Sequence, residues 1–317
     1  MTVKNRTLEC VKATIPTTTR FWWWLLRLTI GVSFCVMILK FVGILPYLSS
    51  LIAPVMKHFG LPGEAAFAYV TGYFINCYSA LAIMSTLDLD ARALTILCTM
   101  VLCSHSMIVE TAVLKKTGAS AAMLVALRTV GAFLCAYVLN LIMPGGLAAA
   151  VNIPDIPGQP VPVFAADLSW AAFLQALRDW IPSVIKLSIL LTAMLFLLNI
   201  LQRLMIEFGI MDKVAKVFHP LLAFFGLPRS TSYIWIVANV VGLSYGSAAL
   251  MDVLDSGHVT KDEAELFDLH VCISHSNVED LTLMGLLGGI WWIMLMIRLA
   301  LSMVYVWGAR AIRSVRA

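Results

Sequence analysis

Polar and apolar positions along this chain fall into long blocks instead of the short alternation of a soluble protein. Apolar-dominated runs cover about 21–41, 63–85, 93–114, 119–143, 183–204, 229–252, 263–284 and 287–308. Runs near ~20 residues, coiled as helices, match the hydrocarbon core of a bilayer. Between them lie two amphipathic, proline-marked stretches, 47–60 and 211–226, and a third amphipathic stretch at 168–180. The join at 144–166 is rich in Gly, Pro and Ala and has neither Lys nor Arg.

Composition turns this pattern into a solvent. Of 317 residues 61% are apolar and 13% charged, with a mean hydropathy of +0.90. Soluble domains hold ~45–50% apolar and ~25% charged residues, so the excess must face lipid. Nothing long and polar remains for a separate catalytic domain, so the chain reads as a non-enzyme. The net charge of +4 is too small to imply a polyanion, which excludes nucleic acid as partner. The seven cysteines include no CxxC pair and lie mostly in apolar segments, so neither a disulfide framework nor a zinc motif is expected. The first apolar run has no small-residue cleavage pattern after it, so it reads as a retained helix.

The chain repeats itself. Residues 43–62 (GILPYLSSLIAPVMKHFGLP) align without a gap to 209–228 (GIMDKVAKVFHPLLAFFGLP), and Tyr78-Ser-Ala answers Tyr245-Gly-Ser-Ala. Ser104-His105-Ser106 matches Ser274-His275-Ser276, Glu110 matches Asp280, and Arg128 matches Arg298. Each copy reads as a first span, an amphipathic stretch, a second span (63–85, 229–252), a Ser-His-Ser segment and a last span.

Lys and Arg near span ends mark the cytoplasmic side. Lys4, Arg6, Lys12 and Arg20 at one terminus and Arg310, Arg313 and Arg316 at the other put both termini inside, and the join, free of Lys and Arg, outside. Lys57, Arg178 and Lys261 then fall outside. Each copy must cross an odd number of times, so the Ser-His-Ser segment is expected to enter and leave on one side as a re-entrant hairpin. The copies are then inverted, a common build of secondary transporters whose site lies near the midplane. The expected layout is a cytoplasmic segment at 1–20, a first membrane repeat at 21–143 and an external linker with an amphipathic helix at 144–180. A second repeat at 181–309 and a cytoplasmic tail at 310–317 complete it.

Polar groups inside lipid are expensive and need a reason. Arg128 and Arg298 follow Glu110 and Asp280 at the same spacing, which predicts two buried ion pairs, with Glu279 an extra acid in the second copy. Such pairs either fasten elements together or line a path. His105 and His275, each between two serines, either bond across helices or switch charge in a site, while the serines can satisfy backbone freed by a helix break. Asn277 makes the second copy more polar. In the second spans, Asn76 and Tyr78, and Asn239 and Tyr245, place amide and hydroxyl groups beside glycines. Together with Ser104, Ser106, Ser274 and Ser276 these are the candidate substrate-binding residues; small polar residues are also ordinary helix–helix glue.

The series Gly-Leu-Pro, then a Gly/Asn/Tyr-Ser-Ala span, then Ser-His-Ser with acids, resembles the nucleoside recognition, or Gate, domain, in two copies over about 40–145 and 205–310. The overall form is similar to the spore maturation A/B and YjiG/YjiH type membrane proteins. The segment from Gly60 to Met84 resembles the permease core of ferrous iron transporter B proteins, which carry a cysteine in a similar Gly-rich span, as Cys77 does here. The resemblance implies a transporter-like protein of the bacterial cytoplasmic (inner) membrane. With no P-loop, nucleotide-driven iron import does not carry over.

The sequence therefore predicts an all-α polytopic membrane protein of two inverted-topology repeats, each with three spans, a re-entrant hairpin and an amphipathic helix. The first expectation for its function is alternating-access transport of a small polar, nucleoside-like solute. A divalent metal cation permease using His275, Glu279, Asp280 and Cys77 is one alternative, and a non-transporting scaffold or envelope regulator another. Candidate partners are the lipid bilayer, a small-molecule substrate and a second copy of the chain; no cofactor or resident metal is expected.

Overall fold

The computed structural model describes residues 2–143 and 168–316. Every regular element among them is helical, and the chain is an all-α polytopic membrane protein. The first series is α1 (Val3–Phe41), α2 (Ile44–Lys57), α3 (Ala65–Phe74), α4 (Cys77–Met84), α5 (Ala91–Ser104), α6 (Met107–Lys116) and α7 (Ala121–Ile142). The second is α8 (Trp170–Glu207), α9 (Ile210–Phe224), a 3-10 turn (Arg229–Thr231), α10 (Ser232–Val240), α11 (Leu243–Asp255), α12 (Lys261–Val271), α13 (Glu279–Leu287) and α14 (Trp291–Arg316). The two series have the same order: long, amphipathic, two short, two short, long. Most of the expected linker, 144–167, lies outside the described residues.

By length and composition five segments among the described residues can cross a membrane: Val3–Phe41, Ala91–Lys116, Ala121–Ile142, Trp170–Glu207 and Trp291–Val315. The first and fourth, of 39 and 38 residues, would be nearly 60 Å long at ~1.5 Å per residue, about twice the ~30 Å of hydrocarbon. Residues 3–20 of the polar segment and 170–180 of the amphipathic stretch, expected to stand apart, are instead the opening turns of α1 and α8. These helices run antiparallel over their whole length. Arg6 pairs with Glu207 (2.8 Å), Trp22 donates to Thr192 (2.8 Å), Trp180 donates to Ser33 (2.9 Å), and the Phe41 and Phe173 rings lie 5.6 Å apart. Packing along this seam keeps both helices continuous through Pro16 and Pro182.

At the matched positions Gly43 and Gly209 the backbone turns left-handed (φ 84° and 62°), which a side chain would resist. Each turn sends the chain from a long helix into an amphipathic one, so α2 and α9 begin at opposite ends of the α1–α8 pair.

The next two segments differ from the expectation, and they exchange roles. The stretches read as straight spans, 63–85 and 229–252, double back. A Cβ at Gly72 would lie 3.0 Å from the Ala80 Cβ, and one at Gly246 would lie 2.8 Å from the Ala238 Cα. Residues eight apart on a straight helix sit about 12 Å from each other, so α3–α4 and α10–α11 are tight helical hairpins. Glycine and alanine on the facing sides permit that approach, as small residues do between helices in lipid.

The Ser-His-Ser segments, read as hairpins, are single interrupted helices lying along the last span. Moving up α5 and α6 means moving down α7: Arg92 bonds the Asn140 carbonyl (2.9 Å), Arg128 bonds the Cys103 carbonyl (3.1 Å) and Glu110 (2.6 Å), and a short turn at 117–120 closes the pair. In the second series Arg313 bonds Glu265 (2.5 Å) and Arg298 bonds the Ile273 carbonyl (2.9 Å), while Gly285 faces Trp291. Apolar length alone could not separate a hairpin from a broken helix, because both bury the same surface. One consequence is that Lys261 lies at the end of α14 that carries Arg313, not at the end opposite.

The halves interlock. Thr117 donates to Asp268 (2.7 Å), the Ile290 N–H donates to Thr95 (2.9 Å), and Tyr305 donates to the Leu127 carbonyl (2.9 Å). The core sits where they meet: α4 is buried throughout and α5 from 93 to 104.

Candidate functional site

Both breaks form in the same way. Ser106 and Ser276 are the only non-glycine residues with positive φ among those described, at 48° and 49°. Their N–H groups donate to hairpin carbonyls, Ser106 to Gly72 (2.9 Å) and Ser276 to Ala238 (3.1 Å). A break leaves helix-end carbonyls without partners, and the buried arginines supply them. Arg128 reaches the Cys103 and His105 carbonyls (3.1 and 2.8 Å), and Arg298 reaches those of Ile273 and His275 (2.9 and 3.0 Å). Both guanidinium groups are fully buried, and their positive charge also opposes the negative helix ends.

The carboxylates depart from strict symmetry. Glu110 pairs with Arg128 at 2.6 Å, as its position predicted. The matching Asp280–Arg298 pair does not form. Arg298 donates to Asn277 Oδ1 (2.8 Å), so an amide takes the place of the acid. Asp280 faces the other half, 3.3 Å from His105 Nε2 and within reach of the Cys77 thiol (3.3 Å). Sequence spacing set the depth of Asp280, and packing between the halves chose its partner.

The histidines come together at the centre, with ring centroids 5.3 Å apart. His105 Nε2 lies 3.0 Å from Glu110 Oε1, and His275 Nε2 lies 3.3 Å from Glu110 Oε2. His275 Nε2 is nevertheless without a hydrogen-bond partner, because the two atoms are close but poorly aligned. The opposite nitrogens point back into their helices: His105 Nδ1 meets the Val101 carbonyl (3.2 Å) and His275 Nδ1 the Val271 carbonyl (2.6 Å). Beside Cys77 and Asp280 in the chain, Tyr78 donates to Glu279 and extends the cluster by two residues.

The other candidate residues divide. Asn277 bonds Asn239 (2.6 Å) and Ser274 (3.0 Å), which makes a polar strut beside the second break. Ser104 bonds Tyr69 and the Met100 carbonyl. Asn76 caps α4 by accepting from the Ser79 N–H (2.8 Å), and Gly242 begins α11 in its stead. Tyr245 stays apart from the cluster and is 65% exposed, on the wall of a cavity of about 680 Å³.

That cavity was not foreseen. It lies between α1, α8 and the second hairpin, and its wall includes Thr14, Thr17, Thr18, Asn199 and Gln202. At its edge stands Glu279, which joins it to the central cluster. Asn199 and Gln202 were visible as amides inside an apolar run and could have signalled it.

These features define a multi-pass membrane protein with two hairpins and two broken helices meeting at a buried polar centre. Residues 22–143, most of the first series, match the family model described as Gate, nucleoside recognition, so this part of the chain is similar to that domain. The chain is 28% identical over 283 residues to a Bacillus subtilis (strain 168) protein named as the uncharacterized membrane protein YvoD, covering 89% of this chain and 88% of that one. No solved structure matches.

Proposed function

We propose that this protein is a carrier of the bacterial cytoplasmic membrane, with both termini inside, that moves a small polar, nucleoside-like solute by alternating access between two inverted repeats. The observation that carries this reading is the meeting of both hairpins and both helix breaks at one polar cluster. Irregular backbone at membrane depth is tolerated where protein buries it or a cavity takes it up, and carrier sites are built at such interruptions. The antiparallel course of α1 and α8, the matched first helices, supports inversion of the repeats.

The cavity supports the solute class. Hydroxyls of Thr14, Thr17 and Thr18, amides of Asn199 and Gln202, and the rings of Phe21 and Tyr245 surround a volume of about 680 Å³. A ribose and a base ask for that mixture of hydrogen-bonding groups and flat apolar surface. The two hairpins differ in a way that suits alternation. Every residue of α4 is buried, and Phe21 of α1 packs against Tyr78 (ring centroids 6.3 Å), whereas α11 buries only Leu243, Gly246, Ser247 and Leu250. Closing α11 onto α1 and α8 would seal the cavity, and releasing α4 from α1 would open the other end.

The test is uptake of radiolabelled purine and pyrimidine nucleosides into vesicles containing the purified protein. Wild type accumulates at least one nucleoside above empty vesicles, and Gln202→Ala and Tyr245→Ala reduce that uptake at unchanged folding. Wild-type uptake no greater than in empty vesicles across the panel would reject the nucleoside-like class.

A further inference from the structure

The central cluster has a property that solute transport does not require: its acceptor atoms converge with too few donors. A carbonyl oxygen only accepts, so the contacts to the Val101 and Val271 carbonyls place the hydrogens of both imidazoles on Nδ1. In neutral rings each Nε2 then presents a lone pair. Both lone pairs face the Glu110 carboxylate, and His105 also faces Asp280, at 3.0–3.3 Å. Such an arrangement repels itself unless a cation sits within it.

One proton is not enough. Placed on His105 Nε2 it serves Glu110 and Asp280 together, but it leaves the buried His275 Nε2 bare. A metal ion takes both rings at once. The donor atoms of His105, Glu110 and His275 lie within 4.8 Å of one another, and those of Cys77, His105 and Asp280 do likewise. Tetrahedral bonds of about 2.0–2.2 Å set ligand atoms about 3.3–3.6 Å apart, close to the 3.0 and 3.3 Å between the two Nε2 atoms and the Glu110 carboxylate. Nδ1–H donated to a backbone carbonyl with Nε2 left free is also the arrangement that orients metal-binding histidines.

We infer that His105 Nε2, His275 Nε2 and the Glu110 carboxylate form a binding site for a divalent transition-metal ion, with Asp280 and Cys77 beside it. Imidazole and thiol favour ions such as Zn²⁺, Co²⁺ or Fe²⁺ over Mg²⁺ and Ca²⁺. The ligands come from both halves, His105 and Glu110 from the first and His275 from the second, so occupancy would tie the halves together.

The inference does not depend on which solute is carried, and its readout is metal binding. Purified, tag-free protein in detergent is titrated with Co²⁺ and with Zn²⁺. One ion per chain is expected, with visible cobalt bands from a nitrogen-containing, low-coordinate site. Mg²⁺ should not compete. His105→Gln and His275→Gln should each weaken binding by about 100-fold or more, since even outer-shell partners are worth about 10–100-fold. X-ray absorption of the zinc-loaded wild type, which needs no variant to fold, should show two imidazole nitrogens at about 2.0 Å. Equal binding by the His105→Gln/His275→Gln double variant, or an all-oxygen zinc environment in wild type, overturns the site. Failed nucleoside uptake leaves it standing.

Discussion

Ser106 and Ser276 adopt the same left-handed backbone, φ 48° and 49°, at the same point of two interrupted helices. Left-handed geometry costs an L-residue roughly 1–2 kcal/mol, yet neither position is a glycine. Each serine N–H is tied to a hairpin carbonyl, so the fold imposes the conformation from outside.

This leads to a test by substitution. Ser106→Gly should leave thermal stability in detergent unchanged or raise it by up to about 1 kcal/mol, while Ser106→Val should lower it by about 1–3 kcal/mol. Equal melting temperatures for the two variants would contradict the imposed backbone.

The two arginines, alike in sequence, should behave differently in double-mutant cycles. Glu110→Gln with Arg128→Gln should show a coupling of about 1–3 kcal/mol, because the pair is direct and buried. Asp280→Asn with Arg298→Gln should show a smaller coupling, because no hydrogen bond or ion pair joins those two side chains directly. Strong coupling in the second cycle would show that the pair forms after all.

Hairpin geometry can be probed at the close approaches. Gly246→Val would drive a side chain into the Ala238 backbone and should destabilise the protein by about 2 kcal/mol or more. Gly31→Ala meets nothing within 4 Å and serves as the tolerated control. If both variants melt together with wild type, α10 and α11 are not packed as described.

Access to the cavity gives a directional prediction. In a Cys35→Ser background, Thr17→Cys should react with a membrane-impermeant maleimide in inside-out vesicles and stay protected in right-side-out ones. The reverse pattern would place the termini outside.

Much of the architecture was legible in the chain. The duplication, the helical class, the pairing of Glu110 with Arg128 and the burial of His105 and His275 all follow from spacing and from the cost of polar groups in lipid. What spacing could not distinguish is which segment folds back. Gly72 and Gly246 mark close contact, but the partner eight residues on is identified only when the chain turns. Asp280 illustrates the same limit, since its sequence-matched partner was Arg298 and its spatial partner is His105.

Local chemistry thus decided which stretches are helical and which groups must find partners away from water. These are short-range demands, met by neighbours within a turn or two. Contacts between the halves decided the antiparallel seam of α1 and α8 and the gathering of two histidines from different halves at one glutamate. Those contacts join residues more than a hundred positions apart, and packing, with no local signal in the chain, selects among them.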